Sequence, residues 1–456
     1  MLREVSTVSP LLSRFRAALV ALALALTPAC SSNLFTDYPE VAGPGQAAFS
    51  QGRFEAAAKQ FRSIREADED DAFLAYAEAG MALHVGGDPA AAIEQWLKAD
   101  RVLEDFGDRP TISGRSLTEG FVSALVNEKA LPYDGEDFEV ALLHGMMAWD
   151  FLRQGDLDGA MVEVFRGYQV QQRAEDRYGS QYGMNRFARF VAAMAQETDR
   201  NFDNARIDLT QLEEEAPGHP AVQYSLERLA RLQGENGAEE RGLSQLVVVY
   251  EAGRMPNKIA TEFQYQTRRS LGRVSLPAFG TPGFAQTGLE VHLDGQSQGH
   301  TVVIEDVMTV AKQNLDDRLT WIVAKGIGRA AAKTIIVDRA AKTVGDKHGE
   351  GWGFLTSVFG SLLQIATERA DLRSWSTLPQ TIEVLRIPVQ PGVHDLTVNL
   401  PGGGEVVLGK HSFRPRRPVL VTVRSIGGRL YAQVGPLAVP DAPASSATAA
   451  PASSDS

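Results

Sequence analysis

The segment QGRFEAAAKQFRSI, at Gln51–Ile64, decides the architecture of the first half of the chain because its pattern recurs. In each copy a turn residue is followed five positions later by a small residue, and four positions after that by a larger apolar residue. Three more segments share this template: GGDPAAAIEQWLKA at Gly86–Ala99, QGDLDGAMVEVFRG at Gln154–Gly167 and DRNFDNARIDLTQL at Asp199–Leu212. A pattern repeated in this way predicts a series of stacked helix pairs.

The small and large positions of the template have a packing explanation. Small side chains let paired helices approach closely, and the larger side chain one turn later fills the gap between them. The small residues are Ala57, Ala92, Ala160 and Ala205, and the larger ones are Phe61, Trp96, Val164 and Leu209. This pattern resembles the tetratricopeptide (TPR) repeat over residues 43–234, although Arg200 stands where the fourth turn would carry glycine. The alternative is a generic helical array in which the alanines recur by coincidence.

The TPR resemblance implies an α-solenoid whose concave face binds extended or helical segments of protein partners. By the phase of the repeat, four side chains are expected to face that groove: Met81, His84, Trp149 and Met194. The alternative for these residues is the core between helices, where methionine and tryptophan at helical spacing are common.

From residue 243 the pattern changes to β-branched runs bounded by glycine and acidic turns, such as LVVVYEAG at Leu246–Gly253. Five later runs, between residues 381 and 434, are separated by glycine-rich turns, which predicts an antiparallel meander. Residues 309–367, between the two groups of runs, predict an inserted helical hairpin packed on the sheet. The sequence therefore predicts an α+β multidomain protein, with a solenoid at 43–234 and an antiparallel β-rich domain at 243–436.

The first 29 residues have the layout of a secretory signal peptide. Three arginines precede the uncharged stretch Ala17–Leu26, which is too short to span a bilayer. The next residues, Thr27-Pro28-Ala29-Cys30, resemble a lipobox, so Cys30 is predicted to become a lipidated N-terminus. It is the only cysteine in the sequence. The alternative is an ordinary cleaved signal peptide that is followed by a cysteine without a role.

Lipidation at Cys30 predicts a membrane anchor, with residues 30–42 as a tether. Ser31 follows the cysteine, and an aspartate at this position would favour retention in the inner membrane, so we expect the periplasmic face of the outer membrane. Residues 437–456 are rich in Pro, Ala and Ser and are expected to form a disordered tail. The net charge of −12 argues against nucleic acid as a partner, because such binding needs a basic footprint.

Three further stretches resemble one family of bacterial TPR-repeat lipoproteins. These are YDGEDFEVALLHGMMAWDFL at Tyr133–Leu152, VVVYEAGRMPNK at Val247–Lys258, and the Ala-Asp-x-Arg-Ser-Trp motif at Ala370–Trp375. The similarity covers nearly the whole mature chain, but the family has no assigned biochemical function. For the motif itself, one interpretation is structural, with Asp371 and Arg373 bonding locally and Trp375 filling space against the sheet. The other is a recognition role.

The motifs of common enzymes are not found in the sequence. GEVVLGKH at Gly404–His411 matches the G-x-x-x-x-G-K of a phosphate-binding loop, but His411 replaces the required Ser or Thr and the valines predict a hairpin. The eight histidines show no metal-ligand spacing, and no G-x-S-x-G elbow occurs. We therefore expect no cofactor, metal or nucleotide, and a non-catalytic interaction scaffold for an envelope assembly such as export or cell-wall machinery. The alternative is an envelope hydrolase or glycan-processing enzyme with a site in residues 243–436.

A run of positive charge near the end of the β-rich half offers a second candidate surface. Six basic residues occur with no acidic residue between the first and the last: Lys410, Arg414, Arg416, Arg417, Arg424 and Arg429. One interpretation is a solvated face of the sheet. The other is contact with an anionic partner, such as lipid headgroups.

The lipobox resemblance generates a direct test. We expect Cys30→Ala to release the protein from membranes or to leave an uncleaved precursor, because the acylated thiol is the predicted anchor. Membrane fractionation and intact-mass measurement check this result. Unchanged fractionation together with an unchanged mass would contradict the assignment.

Overall fold

The computed structural model describes residues 38–107, 132–178, 185–235, 237–266, 271–327, 370–400 and 403–436. Within these residues the chain is an α+β protein, with helices first and mainly antiparallel sheets after them. Cys30, the predicted signal peptide at 1–29, most of the predicted helical insert and the predicted tail at 437–456 lie outside the described residues. The predicted tether at 30–42 is too long, because the first described helix begins at Tyr38.

The described helices of the first half follow one another in sequence-adjacent pairs. They are α1 (Tyr38–Ser50), α2 (Phe54–Ala67), α3 (Ala72–Gly86), α4 (Pro89–Gly107), α5 (Asp137–Gln154), α6 (Leu157–Tyr178), α7 (Arg186–Thr198), α8 (Phe202–Glu215), α9 (Pro220–Gln233) and α10 (Gly237–Gly242). Each of the four template turns joins two helices that pack against each other: α1 with α2, α3 with α4, α5 with α6, and α7 with α8. A further helix, α11 (Val307–Ile327), begins where the insert was predicted. No helix among the described residues is long and apolar enough to cross a membrane.

The template residues occupy the positions that their spacing predicts. The turn residues Gly52, Gly87 and Gly155 have φ between 76° and 92°, in the left-handed region that suits glycine after a helix. Arg200 adopts the same conformation, at φ 63°, although a side chain disfavours it. The four small residues are fully buried and the four larger ones are at most 6% exposed.

Trp96 shows how close the helices come. Its indole Nε1 donates to the carbonyl of Ala77 at 3.1 Å, and its ring lies against Gly80. A Cβ atom at residue 80 would approach Trp96 to 2.3 Å, so only glycine permits this contact. At this helix pair the large template residue, Trp96, requires glycine on the facing helix.

The second half contains two sheets and a separate hairpin. The described strands are β1 (Ser244–Ala252), β2 (Lys258–Gln266), β3 (Leu271–Phe279), β4 (Glu290–Leu293), β5 (Gln296–His300), β6 (Val302–Asp306), β7 (Thr381–Val389), β8 (Gly392–Asn399), β9 (Glu405–Phe413), β10 (Val419–Ile426) and β11 (Arg429–Pro436). The larger sheet has the order β11-β10-β1-β7-β6, and the smaller has the order β5-β4-β8-β9. Among the strands that the structure describes, β2 and β3 pair only with each other. The stretch that resembles a phosphate-binding loop is strand β9, so the predicted hairpin is confirmed.

The prediction of one C-terminal meander is wrong. Strand β7 belongs to the five-stranded sheet, β8 and β9 belong to the other sheet, and β10 returns to lie parallel to β1. The reason is burial on both faces of β1. Val247 and Val249 join the core under the helices, whereas Leu246, Val248 and Tyr250 join the core between the two sheets. The five-stranded sheet is therefore the middle layer, with helices on one side and the smaller sheet on the other.

The two predicted domains share one hydrophobic core. This core contains helix residues such as Phe49 and Trp149 together with sheet residues such as Val247 and Leu420. The predicted boundary between residues 234 and 243 does coincide with the change from helices to strands. It is not a boundary between independent cores, because the sheet covers the apolar face that the helices present. We call this helix–sheet contact the seam.

The Ala-Asp-x-Arg-Ser-Trp motif runs along the seam before β7. Asp371 and Arg373 form a local ion pair at 2.8 Å, as the structural interpretation predicts. The buried Trp375 ring packs edge-on against Trp96, with the ring centroids 6.4 Å apart, so it contacts the helices as well as filling space under the sheet. Glu78 of α3 accepts hydrogen bonds from the backbone N–H groups of Ser376 and Thr377, at 2.8 and 3.0 Å. The motif thus carries the helix–sheet contact.

This arrangement predicts a large effect of Glu78→Ala. The change leaves two buried N–H groups unpaired, each at a cost of about 1–3 kcal/mol, so we expect the free energy of unfolding to fall by about 3 kcal/mol or more. Urea denaturation followed by both far-ultraviolet circular dichroism and tryptophan fluorescence measures it. Both signals should change together, since helices and sheet share a core.

Glu94→Ala is the matched control, because Glu94 lies on the neighbouring helix α4 with its side chain 65% exposed. Its salt bridge to Lys98 lies at the surface and should be worth less than about 1 kcal/mol. Equal stabilities of the two variants, or separate unfolding of helices and sheet, would contradict the role given to the seam.

Candidate functional site

The four residues predicted to face a groove are buried instead. Met81, His84 and Trp149 have no exposed surface, and Met194 is 4% exposed. All but His84 belong to the core under the sheet, and His84 reaches the sheet through Glu251 of β1. The prediction that these residues line an open groove is therefore wrong. The prediction failed because the phase of the repeat identifies a helix face but not what covers it. Here the five-stranded sheet covers that face.

His84 lies in a buried ionic cluster that joins helices to sheet. Its Nδ1 lies 2.8 Å from the Asp150 carboxylate of α5, and its Nε2 lies 2.9 Å from the Glu251 carboxylate of β1. Both ring nitrogens face acceptors, which suits an imidazolium that donates twice. Burial alone would lower the pKa of His84, but Asp150 and Glu251 raise it to about 9. Burial would raise the pKa of Glu251, but His84 and Arg424 lower it to about 2.

Trp149 has a comparable structural role. Its indole Nε1 donates to the Thr422 hydroxyl of β10 at 2.8 Å. A neighbouring side chain, Arg153, bridges Asp150 at 2.8 Å and Gln433 of β11 at 2.5 Å. Polar groups on this otherwise apolar helix face thus include two that bond across the seam, the Trp149 indole and the Arg153 guanidinium.

The basic run does not form one surface. Arg424 is 1% exposed, donates to Glu251 at 3.2 Å and to the Thr377 carbonyl at 2.8 Å, and belongs to the seam. The prediction that Arg424 belongs to an anionic-partner patch is wrong. Its guanidinium is buried, and a buried guanidinium needs a carboxylate partner, which here is Glu251. Lys410, Arg414, Arg416 and Arg429 are exposed and Arg417 is half-buried. Their contact with an anionic partner stays a prediction.

The described helices enclose a cleft that the sequence analysis did not identify. It has a volume of about 30 Å³, room for one or two water molecules, and lies between α5, α6, α7 and the start of α11. Most of its walls are small or apolar side chains: Phe138, Ala141, Gly145, Ala148, Val164, Gly167, Val170, Ala174, Ala188, Ala192 and Val310. Small residues recur along the facing helices, for example Ala141 in α5 and Ala174 in α6.

One end of the cleft is closed by helix contact. A Cβ atom at Gly145 would lie 2.9 Å from the Ala188 Cβ atom, so α5 and α7 touch there. Gly167 on α6 differs, because a Cβ atom there would meet only the His144 Cβ atom at 3.7 Å, an ordinary contact. Gly167 therefore lines the cleft without a close helix contact, and a Cβ atom fits there.

A histidine–carboxylate pair lies in the cleft wall. The His144 Nδ1 lies 2.8 Å from the Glu163 carboxylate, and both side chains are at most 4% exposed. The His144 Nε2 lies 3.8 Å from Asp100, which also pairs with Arg166. Burial raises the pKa of Asp100, against the opposing effects of His144 and Arg166. The pair fixes the orientation of the imidazole in the cleft wall.

Asn185 supplies an unused hydrogen-bond donor to the cleft. Its Oδ1 caps helix α7 by accepting from the Ala188 N–H at 2.8 Å. Its Nδ2 finds no partner in the part of the chain that the structure describes, although the residue is only 5% exposed. An unpaired buried donor costs about 1–3 kcal/mol, so an acceptor from a water molecule or from a ligand is favoured beside this amide.

Among the polar groups of the cleft, only Asn185 has a recognisable pattern in the sequence. Asn185 precedes the periodic segment RFARFVAAMAQE at Arg186–Glu197, as a helix N-cap does. That its amide would remain unpaired depends on which helices surround it, and this is decided by packing alone.

No protein-family model, no curated protein and no solved structure matches the chain.

The His84 cluster predicts how stability depends on pH. The folded-state pKa of about 9 lies above the ordinary 6.5. The stabilisation is therefore complete below pH 6.5 and is lost as the pH rises through 9. We expect the free energy of unfolding, measured in urea, to be larger at pH 6.5 than at pH 9.5.

Asp150→Asn tests the cause of that dependence. It removes one of the two carboxylates that raise the His84 pKa, so the loss of stability should begin at a lower pH than in the unchanged chain. Nuclear magnetic resonance of the His84 ring protons measures the pKa directly. A His84 pKa near 6.5 in the unchanged chain would contradict the assigned cluster.

Proposed function

We propose that this chain is a lipid-anchored interaction scaffold of the bacterial cell envelope, which binds protein partners through the cleft between α5, α6, α7 and α11. The anchor is Cys30, and the location is the periplasmic face of the outer membrane. The assembly it serves belongs to a class such as export or cell-wall machinery. The scaffold has no catalytic step in this proposal.

A TPR-like origin of the helical half is part of the proposal. It is supported by the left-handed conformation of the four template turns, Arg200 included. It is also supported by the complete burial of the alanine in each template and by the packing of the helices within each pair. Solenoids of this class are used mainly for protein recognition, which favours a scaffold.

The cleft is the observation that carries the proposal. Its walls offer apolar contact, and its polar groups offer hydrogen bonds: the Asn185 amide, the His144–Glu163 pair and Tyr168. The Tyr168 hydroxyl is already engaged, since it donates to Asp208 at 2.6 Å and accepts from Gln196 at 3.0 Å. A concave apolar surface with a few placed polar groups is the usual form of a binding site.

The test uses a photo-crosslinking amino acid placed at Gln171 in cells. Gln171 lines the cleft and is half-buried, so a crosslinker there reaches an occupant. We expect a discrete crosslinked protein, identified by mass spectrometry. The same crosslinker at the exposed Gln296 of β5 should not capture it.

Gly167→Leu is the variant that separates cleft binding from other contacts. A leucine there enters the open space beside His144, and the helix itself gains about 1 kcal/mol when glycine is replaced. Gly43→Leu is the matched control, since a Cβ atom at residue 43 meets nothing within 4 Å. We expect capture to be lost in Gly167→Leu and kept in Gly43→Leu, at equal melting temperatures. Capture that survives Gly167→Leu would overturn the proposal, and turnover of a cell-wall glycan by the purified chain would favour the hydrolase.

A further inference from the structure

The loop between β3 and β4 holds a phenylalanine ring in solvent. It comprises residues 280–288, which we call the Phe284 loop, and the Phe284 side chain is 91% exposed. Val393 and Val407, the next most exposed large apolar side chains in the described part of the chain, reach only 66%. We propose that the Phe284 loop inserts into the interface of a phospholipid bilayer, as a second membrane contact beside the lipid on Cys30. This inference goes beyond the proposed function and rests on it only for the anchor.

The exposure of Phe284 does not come from a loosely held loop. Core side chains hold the loop backbone on both sides of the ring: the Gln380 Nε2 donates to the Gly283 carbonyl at 2.9 Å, and the Tyr250 hydroxyl donates to the Gln286 carbonyl at 2.7 Å. Both donor residues are at most 8% exposed. A fixed backbone therefore presents the ring to water, where its apolar surface is unfavourable until something covers it.

The absence of charge around the ring favours a bilayer as the cover. Residues 274–289 include no acidic or basic side chain, in a chain whose net charge is −12. A charged side chain is costly to move towards hydrocarbon, so this segment can enter a bilayer at less cost than its neighbours. Val393 and Val407 differ, because each has an exposed carboxylate two residues along the same face of its strand, Asp395 and Glu405.

A second apolar side chain lies beside the loop. Ile259 of β2 is 51% exposed, and a Cβ atom at Gly280 would lie 3.7 Å from its Cγ2 atom. Ile259 thus adds apolar surface next to the start of the Phe284 loop. Segments that bind at a membrane surface bury phenylalanine and aliphatic side chains of this kind at the boundary between headgroups and acyl chains.

The Phe284 loop lies close to the helix that follows the predicted anchor. The Gly280 N–H donates to the Asn257 carbonyl at 3.0 Å, and the Gln46 amide of α1 donates to the Asn257 side chain at 3.0 Å. Residues 30–37 lead from Cys30 to α1 and span at most about 28 Å, so the anchor leaves the loop within reach of the same bilayer. A lipid chain by itself binds a membrane reversibly, and a second contact strengthens the attachment.

The experiment places a fluorescent label in the loop of the full chain, isolated from cell membranes. Thr281→Cys is exposed and supplies a free thiol, because the only natural cysteine, Cys30, carries the lipid. The nitrobenzoxadiazole-labelled protein is reconstituted into vesicles of phosphatidylethanolamine and phosphatidylglycerol. We expect nitroxide-labelled lipid to quench the label and aqueous iodide to be excluded from it.

The same label at Val393→Cys is the matched control. Val393 lies near the start of β8, whereas Asn399 at the end of that strand pairs with Glu290, next to the loop. The control label should therefore be quenched by iodide and not by the nitroxide lipid. Equal iodide quenching of the two labels would overturn the inference.

Phe284→Ser tests the ring itself, with the label kept at residue 281. It should weaken insertion of the loop by about tenfold or more, because burial of a phenylalanine side chain favours the inserted state by at least about this factor. Val393→Ser removes an exposed apolar side chain elsewhere and should leave insertion unchanged. Both positions are exposed, so both variants should keep the melting temperature of the unchanged chain. Insertion that is indifferent to Phe284→Ser contradicts the role of the ring.

Vesicle flotation and the intact mass of the unlabelled chain separate this inference from the anchor. A chain that floats with an iodide-accessible label at residue 281 keeps the anchor and overturns the inference. A chain that floats with a protected label but lacks the acyl mass supports the inference and contradicts the anchor, and a chain that does not float contradicts both. Protection in native membranes but not in protein-free vesicles would assign the Phe284 loop to a protein pocket and overturn the bilayer contact.

Discussion

The stretch between Ala370 and Gln380 runs between the helices and the five-stranded sheet, and its buried N–H groups must find acceptors there. The Gln380 N–H reaches the Ala252 carbonyl of β1 at 2.8 Å, whereas three N–H groups before it are accepted by helix side chains. Glu78 accepts from the backbone N–H groups of Ser376 and Thr377, and Glu139 accepts from the Trp375 N–H at 2.7 Å. This constraint explains why two fully buried glutamates occur in apolar helices. Burial, together with the nearby Glu136, raises the pKa of Glu139 to about 7.

Side-chain ion pairs also join helices to the sheet along the rest of the seam. Arg386 of β7 donates twice to Glu197 of α7, at 2.8 and 2.7 Å, and Arg228 of α9 donates to the same carboxylate at 2.8 Å. With the His84 cluster, these pairs fix the helices to the sheet at several points along the chain. Removing one partner of such a buried ion pair would leave an uncompensated charge at the seam, at a cost of about 3–5 kcal/mol.

Fixing the helices to the sheet decides where a ligand can bind. A free solenoid would expose its inner face, but here the sheet covers Met81 and Trp149. The cleft at α5, α6 and α7 is lined by small residues such as Ala141, Gly167 and Ala174. Small residues thus serve two purposes in this chain. In the helix pairs they permit close contact, and around the cleft they leave room.

The sequence by itself determined the local features: the template turns at Gly52 and Gly87, the buried alanines and the strand at Leu246–Gly253. These depend on spacing and backbone preference, which neighbouring residues set. Only the tertiary structure decided that β10 lies parallel to β1, that both halves share a core, and that the predicted groove is closed. Those features depend on which surfaces pack together. Hydrophobic periodicity in the sequence identifies an apolar face but not the element that covers it. For the same reason the Asn185 cap could be anticipated, but its unpaired amide could not.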